Sequence, residues 1–176
     1  YSVLNEWEKS GKLWGFYPDR SSSNELRYEP NDPFYDSQWY LDNYGQNDGT
    51  SGIDINPQEV WDNYTGEGIV IGVIDDGVDY NNPDLSPNFL NSLSKDYCDA
   101  DDNVMPSDSD GDGEVDWHGT AVSGIVSAKG NNSLGITGVS YNSGLIGIRL
   151  IADGCSTELT SDEAQAGALN HELDIV

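Results

Sequence analysis

GIVIGVIDDG, residues 68–77, is the stretch on which the fold turns. Residues 68–75 form a continuous apolar run rich in β-branched side chains, closed by Asp75, Asp76 and Gly77. A run of this kind predicts a strand buried on both faces, as in a parallel sheet. Outward from it, GLIGIRLI (144–151) repeats the pattern, and DIV (174–176) begins a third strand. Two helical stretches alternate with these. HGTAVSGIVSA (118–128) is made of mostly small residues and can lie deep against a sheet. SDEAQAGALNHEL (161–173) is amphipathic, with Ser161 at its N-cap and Asp162 and Glu163 in its first turn. The alternation predicts an α/β fold built on a parallel sheet. Sites in such sheets lie at the carboxyl ends of the strands, which is where Asp75 and Asp76 fall. Asp-Asp-Gly is also good turn chemistry, so this stretch alone leaves both meanings open. NPQEVWDNY (56–64) predicts a short helix capped by Asn56, with Pro57 in its first turn. Residues 28–54 are rich in Asn, Asp, Gly and Pro and predict surface loop.

Composition narrows the classes of function. The 176 residues suffice for one domain with a core. Lys and Arg total 7 against 32 Asp and Glu, a net charge of −25. Residues 1–27 are neutral: Lys9, Lys12, Arg20 and Arg27 balance Glu6, Glu8, Asp19 and Glu25. From residue 28 onward only Lys95, Lys129 and Arg149 oppose 28 acids, so a boundary falls there. Such a surface repels nucleic acid and anionic membranes and suits calcium, basic peptides or a salty medium. It also keeps an exported protein soluble. No run of about 18 apolar residues offers a membrane span. The chain starts at Tyr1 rather than Met, which fits a processed or cut piece. Cys98 and Cys155 permit one disulfide without requiring it.

His118, before Gly-Thr at a helix start, is weak evidence by itself. With Asp75 it becomes a catalytic candidate. A carboxylate at a strand end can fix one imidazole nitrogen and leave the other as a general base. DSDGDGEVDWHG (108–119) places Asp108, Asp110, Asp112 and Gly113 at EF-hand positions, but Gly119 stands where a bidentate Glu is required. That loop is incomplete as a calcium hand. His171 carries no motif and reads as a helix C-terminal residue interacting with the dipole. The five tryptophans, Trp7, Trp14, Trp39, Trp61 and Trp117, read as packing residues, Trp117 beside the cleft.

IVIGVIDDGVDYNNPDL resembles the aspartate motif of subtilisin-like serine proteases, and HGTAVSGIVSA resembles their histidine motif, in the same order. NDPFYDSQWYLDN and the doubled Asp resemble the kexin/furin (proprotein convertase) branch, including calcium-dependent proteases of bacteria and cyanobacteria. The resemblance runs from about residue 28 to 176. It implies a subtilisin-like α/β fold and a calcium-dependent serine endopeptidase, secreted or periplasmic, that cleaves after basic residues. Asp75 would be the triad carboxylate and His118 the base. The family's serine and oxyanion-hole Asn belong beyond residue 176, and Ser123, Ser127 and Ser140 match no nucleophile position. This polypeptide alone is therefore expected to be inactive, with the remaining C-terminal part of the protease supplying the serine. The alternative is an inactive relative serving as an acidic calcium-binding interaction module.

The resemblance also implies particular sites. One Ca2+ would take side chains of Asp32, Asp84 and Asn132 and carbonyls of Lys129, Leu134 and Ile136, hard oxygen donors that suit the ion. A second would take Asp96, Asp101 and Asn103, with Asn103 replacing an acid. Asp76 and Asp116 match acids that face the residue before the cleaved one, and Glu163 or Asp162 would serve a more distant subsite. Basic peptides or proteins are the implied substrates. Cys98 and Cys155 follow strands that are parallel neighbours in the family sheet, so a bridge is expected. Residues 1–27 resemble the end of a propeptide, with cleavage expected after Arg27; residues 28–176 would be the N-terminal portion of the catalytic domain.

Overall fold

The computed structural model describes residues 29–99, 101–108, 111, 113–152, 155 and 161–171. Three strands form one parallel sheet: β1 (Val70–Asp75), β2 (Lys95–Asp96) and β3 (Gly144–Arg149), in the order β1-β3-β2. In register, Asp75 lies opposite Arg149, and Arg149 opposite Asp96. Three polar residues therefore line up across the carboxyl edge of the sheet. The helices are α1 (Gln58–Trp61), α2 (His118–Ser127) and α3 (Asp162–Leu169).

Both faces of the sheet are covered. On one face Val73 and Leu145 pack with Val78, Leu85 and Ala128, joined by Val122 of α2. On the other, Ile146, Ile148 and Leu150 pack with Ala168 and Ala164 of α3. Successive strand residues point to opposite faces, so one apolar run serves both layers. β3 is the buried strand. β1 is less so than its sequence predicts: among the described residues it pairs only with β3, and Gly72 is exposed.

Other elements depart from expectation in instructive ways. The helix expected over 56–64 is a single turn. Asn56 adopts φ 45°, outside helical space, and Pro57 takes the cap position. Residues 29–54 are irregular but not merely surface. Tyr35 and Leu41 pack with Trp61 and Tyr141 in a third cluster. Gln38 anchors them, donating from Nε2 to the Thr137 carbonyl (2.9 Å) and accepting from the Thr137 amide (2.8 Å). α3 starts as expected, with Ser161 accepting from the Ala164 amide, but ends at Leu169. His171 lies beyond it, and its Nε2 donates to the Leu93 carbonyl at 2.8 Å instead of serving the helix end. Trp61 is buried, its indole donating to the Val139 carbonyl, whereas Trp39 and Trp117 are half exposed. The segments at 1–28 and 172–176, including Arg27, Trp7, Trp14 and the expected third strand, lie outside the described residues.

Candidate active site

β1 ends in Asp75 and the chain turns at Asp76-Gly77. α2 begins beside this turn. His118 Nδ1 lies 2.9 Å from both carboxylate oxygens of Asp75. Asp75 is buried, whereas the His118 side chain is 75% exposed. The bond to Asp75, then its charge and that of Asp76, raise the His118 pKa above its ordinary 6.5. With Nδ1 engaged as the donor, Nε2 is the nitrogen left for a substrate or nucleophile.

Asp76 holds this arrangement together. Its amide donates to Asp75 Oδ1 at 2.8 Å. Its carboxylate accepts the His118 amide at 2.9 Å and the Gly119 amide at 2.7 Å. These are free donors of a helix start, where negative charge is also favoured by the dipole. Such close docking requires Gly119: a Cβ there would lie 2.3 Å from the Gly77 carbonyl oxygen and 2.8 Å from Asp75 Cβ. Asp116 is half-buried and lies two residues before His118, while Glu163 is exposed on α3. Ser123 and Ser127 are fully buried. Ser127 bonds Ser143, and Ser140 supplies a carbonyl to Ser143 Oγ.

A second cluster joins three distant segments. Asp32 accepts the amides of Asn131 (2.7 Å) and Asn132 (3.0 Å) and the Thr137 hydroxyl. Asp84 accepts Asn132 Nδ2 (2.8 Å) and the Ile136 amide (2.9 Å). The Lys129 amide donates to the Asp84 carbonyl (2.8 Å), and the Leu134 amide to Asn132 Oδ1 (2.8 Å). Gly135, at φ +35°, leaves the room Asp84 needs: a Cβ there would sit 2.2 Å from its Oδ2. Both carboxylates are buried. Burial, reinforced by the charge of Asp32, raises the Asp84 pKa. Among the described residues, no Lys, Arg or His forms an ion pair with either. Two buried acids bound to the same residue, Asp32 to the backbone amide of Asn132 and Asp84 to its side chain, with no cation paired to them among the described residues, are a donor set that fits a hard divalent cation such as calcium.

The other expected ion site is arranged differently. Asp96 is fully buried and paired with Arg149 at 2.9 Å, while Asp101 and Asn103 are exposed. Asp96 Oδ1 accepts the amides of Cys98 and Asp99, and Asp101 and Asn103 cap their own turn. Among the described residues, no three His, Cys, Asp or Glu side chains converge on a metal position. In the 108–119 run, Asp108 folds back on the amides of Gly111 and Gly113. Cys98 and Cys155 are joined by a disulfide, just beyond β2 and β3. Arg149 is the site residue that sequence reading missed. Its signal was a lone charge inside the apolar run GLIGIRLI.

The parallel sheet, its cover of helices and the position of the pair are those of a subtilisin-like α/β fold. Residues 66–176 match the subtilase family, and the chain belongs to it. It is 41% identical over 157 residues to human neuroendocrine convertase 2, covering 87% of this chain and 23% of the convertase. It is 43% identical over 146 residues to the PC3-like endoprotease variant B of Hydra vulgaris, covering 82% of this chain and 19% of that protein. The serine protease of Aeromonas sobria, solved in complex with a chaperone, superposes with a TM-score of 0.73 at 31% identity, over 92% of this chain and 26% of the protease. The chain thus spans about a quarter or less of the length of these relatives.

Proposed function

We propose that this chain is the Asp- and His-bearing portion of a calcium-dependent serine endopeptidase that cleaves after basic residues. The observation that carries the proposal is the Asp75–His118 pair, 2.9 Å apart at the carboxyl end of β1 with the imidazole exposed. A serine supplied from outside residues 1–176 would give its proton to His118 Nε2 as it attacks the scissile carbonyl. Asp75 would hold the Nδ1 proton and stabilise the imidazolium that forms. His118 would then return the proton to the leaving amine.

The acidic balance of residues 28–176 supports a basic substrate, since it raises the local concentration of cationic peptides. Asp116, half-buried two residues before His118, would pair with a basic side chain near the cut. Asp76 acts there through its field, because its oxygens are bound to the α2 amides. Glu163 would serve a more distant subsite. Asp32, Asp84 and Asn132, with carbonyls of Lys129, Leu134 and Ile136, would hold the ion. Calcium there neutralises two buried carboxylates and ties three segments together. Asp96, Asp101 and Asn103 remain a weaker ion site in this proposal. Residues 1–27 would be a propeptide end released after Arg27, and a disulfide suits a secreted or periplasmic protein. Among the described residues, no helix is long and apolar enough to cross a membrane.

The test is fluorophosphonate labelling of the full-length protein in calcium, with peptides carrying Arg or Leu before the cut. Labelling of one serine, and cleavage of the Arg peptide alone, is expected. No label, or equal cleavage of both peptides, refutes the assignment.

A further inference from the structure

Arg149 has no part in the chemistry above, yet it is 1% exposed and every nitrogen of its guanidinium is engaged. Nη1 donates to Asp96 Oδ2 (2.9 Å) and Asp99 Oδ2 (2.5 Å), and Nη2 to Ser107 Oγ (2.8 Å). Nε donates to the Asp76 carbonyl at 3.0 Å. A charge that only clamped β2 to β3 would need the two carboxylates and nothing else. The Nε bond instead reaches across to the turn after β1. That turn is where Asp76 orients the Asp75 carboxylate through its amide and seats His118 through its own carboxylate. Arg149 therefore holds a residue bonded to both members of the pair.

We infer that Arg149 is a positioning residue, its buried guanidinium fixing the Asp76 backbone and through it the distance between Asp75 and His118. This rests on the proposed role of that pair. Arg is required because a planar fork can serve three directions at once, whereas an ammonium is a single point. Burial opposes its charge, but Asp99 and Asp96 outweigh burial and keep it protonated.

The test is an NMR pH titration of the His118 and His171 rings in the full-length protein. Among the described residues, the ionisable groups that act on His118 are Asp75 and Asp76, and those that act on Arg149 include Asp96 and Asp99. In Arg149→Lys the charge is kept and the fork is lost. The His118 pKa should fall toward about 6.5 while His171 is unchanged. Arg149→Met separates position from field: removing a nearby cation alone would raise the His118 pKa, whereas displacement of Asp75 lowers it. A fall in both variants is expected. An unchanged His118 in Arg149→Lys, or a rise in Arg149→Met, overturns the inference. If circular dichroism shows either variant unfolded, Ser107→Ala removes one bond to the fork and should give a smaller fall, no fall again overturning it. A wild-type His118 already near 6.5 would sink the Asp75–His118 pairing and this inference with it. A labelled, active protease with unaltered variant titrations sinks the inference alone.

Discussion

His118 and Asp84 show two opposite uses of a carboxylate. At His118, the adjacent Asp75 raises the imidazole pKa, so the neutral base forms only at higher pH. The acid limb of kcat/KM for the full-length protease, which reports the free enzyme, should accordingly have its midpoint above about 6.5. A limb at or below that value refutes the coupling. Asp75→Asn should cost about 10⁴-fold in kcat, as a wrong tautomer does in other triads. At Asp84, burial raises the pKa above 3.8. A carboxylate whose folded pKa is raised binds its proton more tightly when folded. Its contribution to metal-free stability therefore increases as pH falls through that raised value, and is complete below 3.8. Bound calcium should reverse the sign by favouring the charged form. Melting curves with and without EDTA, each over pH 4–7, should differ in slope for wild type and converge for Asp84→Asn.

At the scale of elements, the site exists because α2 starts against the end of β1. The small residues of HGTAVSG predicted a helix lying close to the sheet, and the reason is now specific. Gly119 leaves no room for a Cβ, and its nearest obstacles are the Gly77 carbonyl and Asp75, which are not flexible side-chain ends. Gly119→Ala should destabilise by about 1–3 kcal/mol, the usual cost of overpacking, and separate His118 from Asp75. Thermal melting measures the first and the His118 NMR titration the second. A wild-type melt and titration would show that the turn yields. The same docking commits the Asp76 carboxylate to helix amides, which its position in Asp-Asp-Gly did not disclose.

For the whole molecule, two cross-links tie together segments remote in sequence. The Cys98–Cys155 disulfide spans 57 positions, and a loop of that length is expected to stabilise by about 4 kcal/mol if loop entropy governs. Reduction should lower the urea midpoint accordingly, and an unchanged midpoint refutes a bridge of structural weight. The Asp32–Asp84–Asn132 cluster gathers segments about 50 residues apart and more. Calcium at a hundredfold excess over Kd should add about 2.7 kcal/mol. Equal melting in EDTA and calcium would count against ion binding there.

The sequence by itself determined the class of fold, because a continuous β-branched run and a small-residue helix have few other homes. It also singled out Asp75 and His118, since strand ends and helix starts are legible from local pattern. What it could not determine was which carboxylates are already occupied. Asp76, Asp96 and Asp116 look alike as letters in an acidic chain. Only the tertiary structure binds Asp76 to helix amides, pairs Asp96 with Arg149 and leaves Asp116 half-buried. Hydrogen-bond partners come from segments remote in sequence, 53 positions apart for Arg149 and Asp96, and no local period encodes them. Irregular segments follow the same logic: the residues that bury Tyr35 and Leu41 are Trp61 and Tyr141, which only folding brings near.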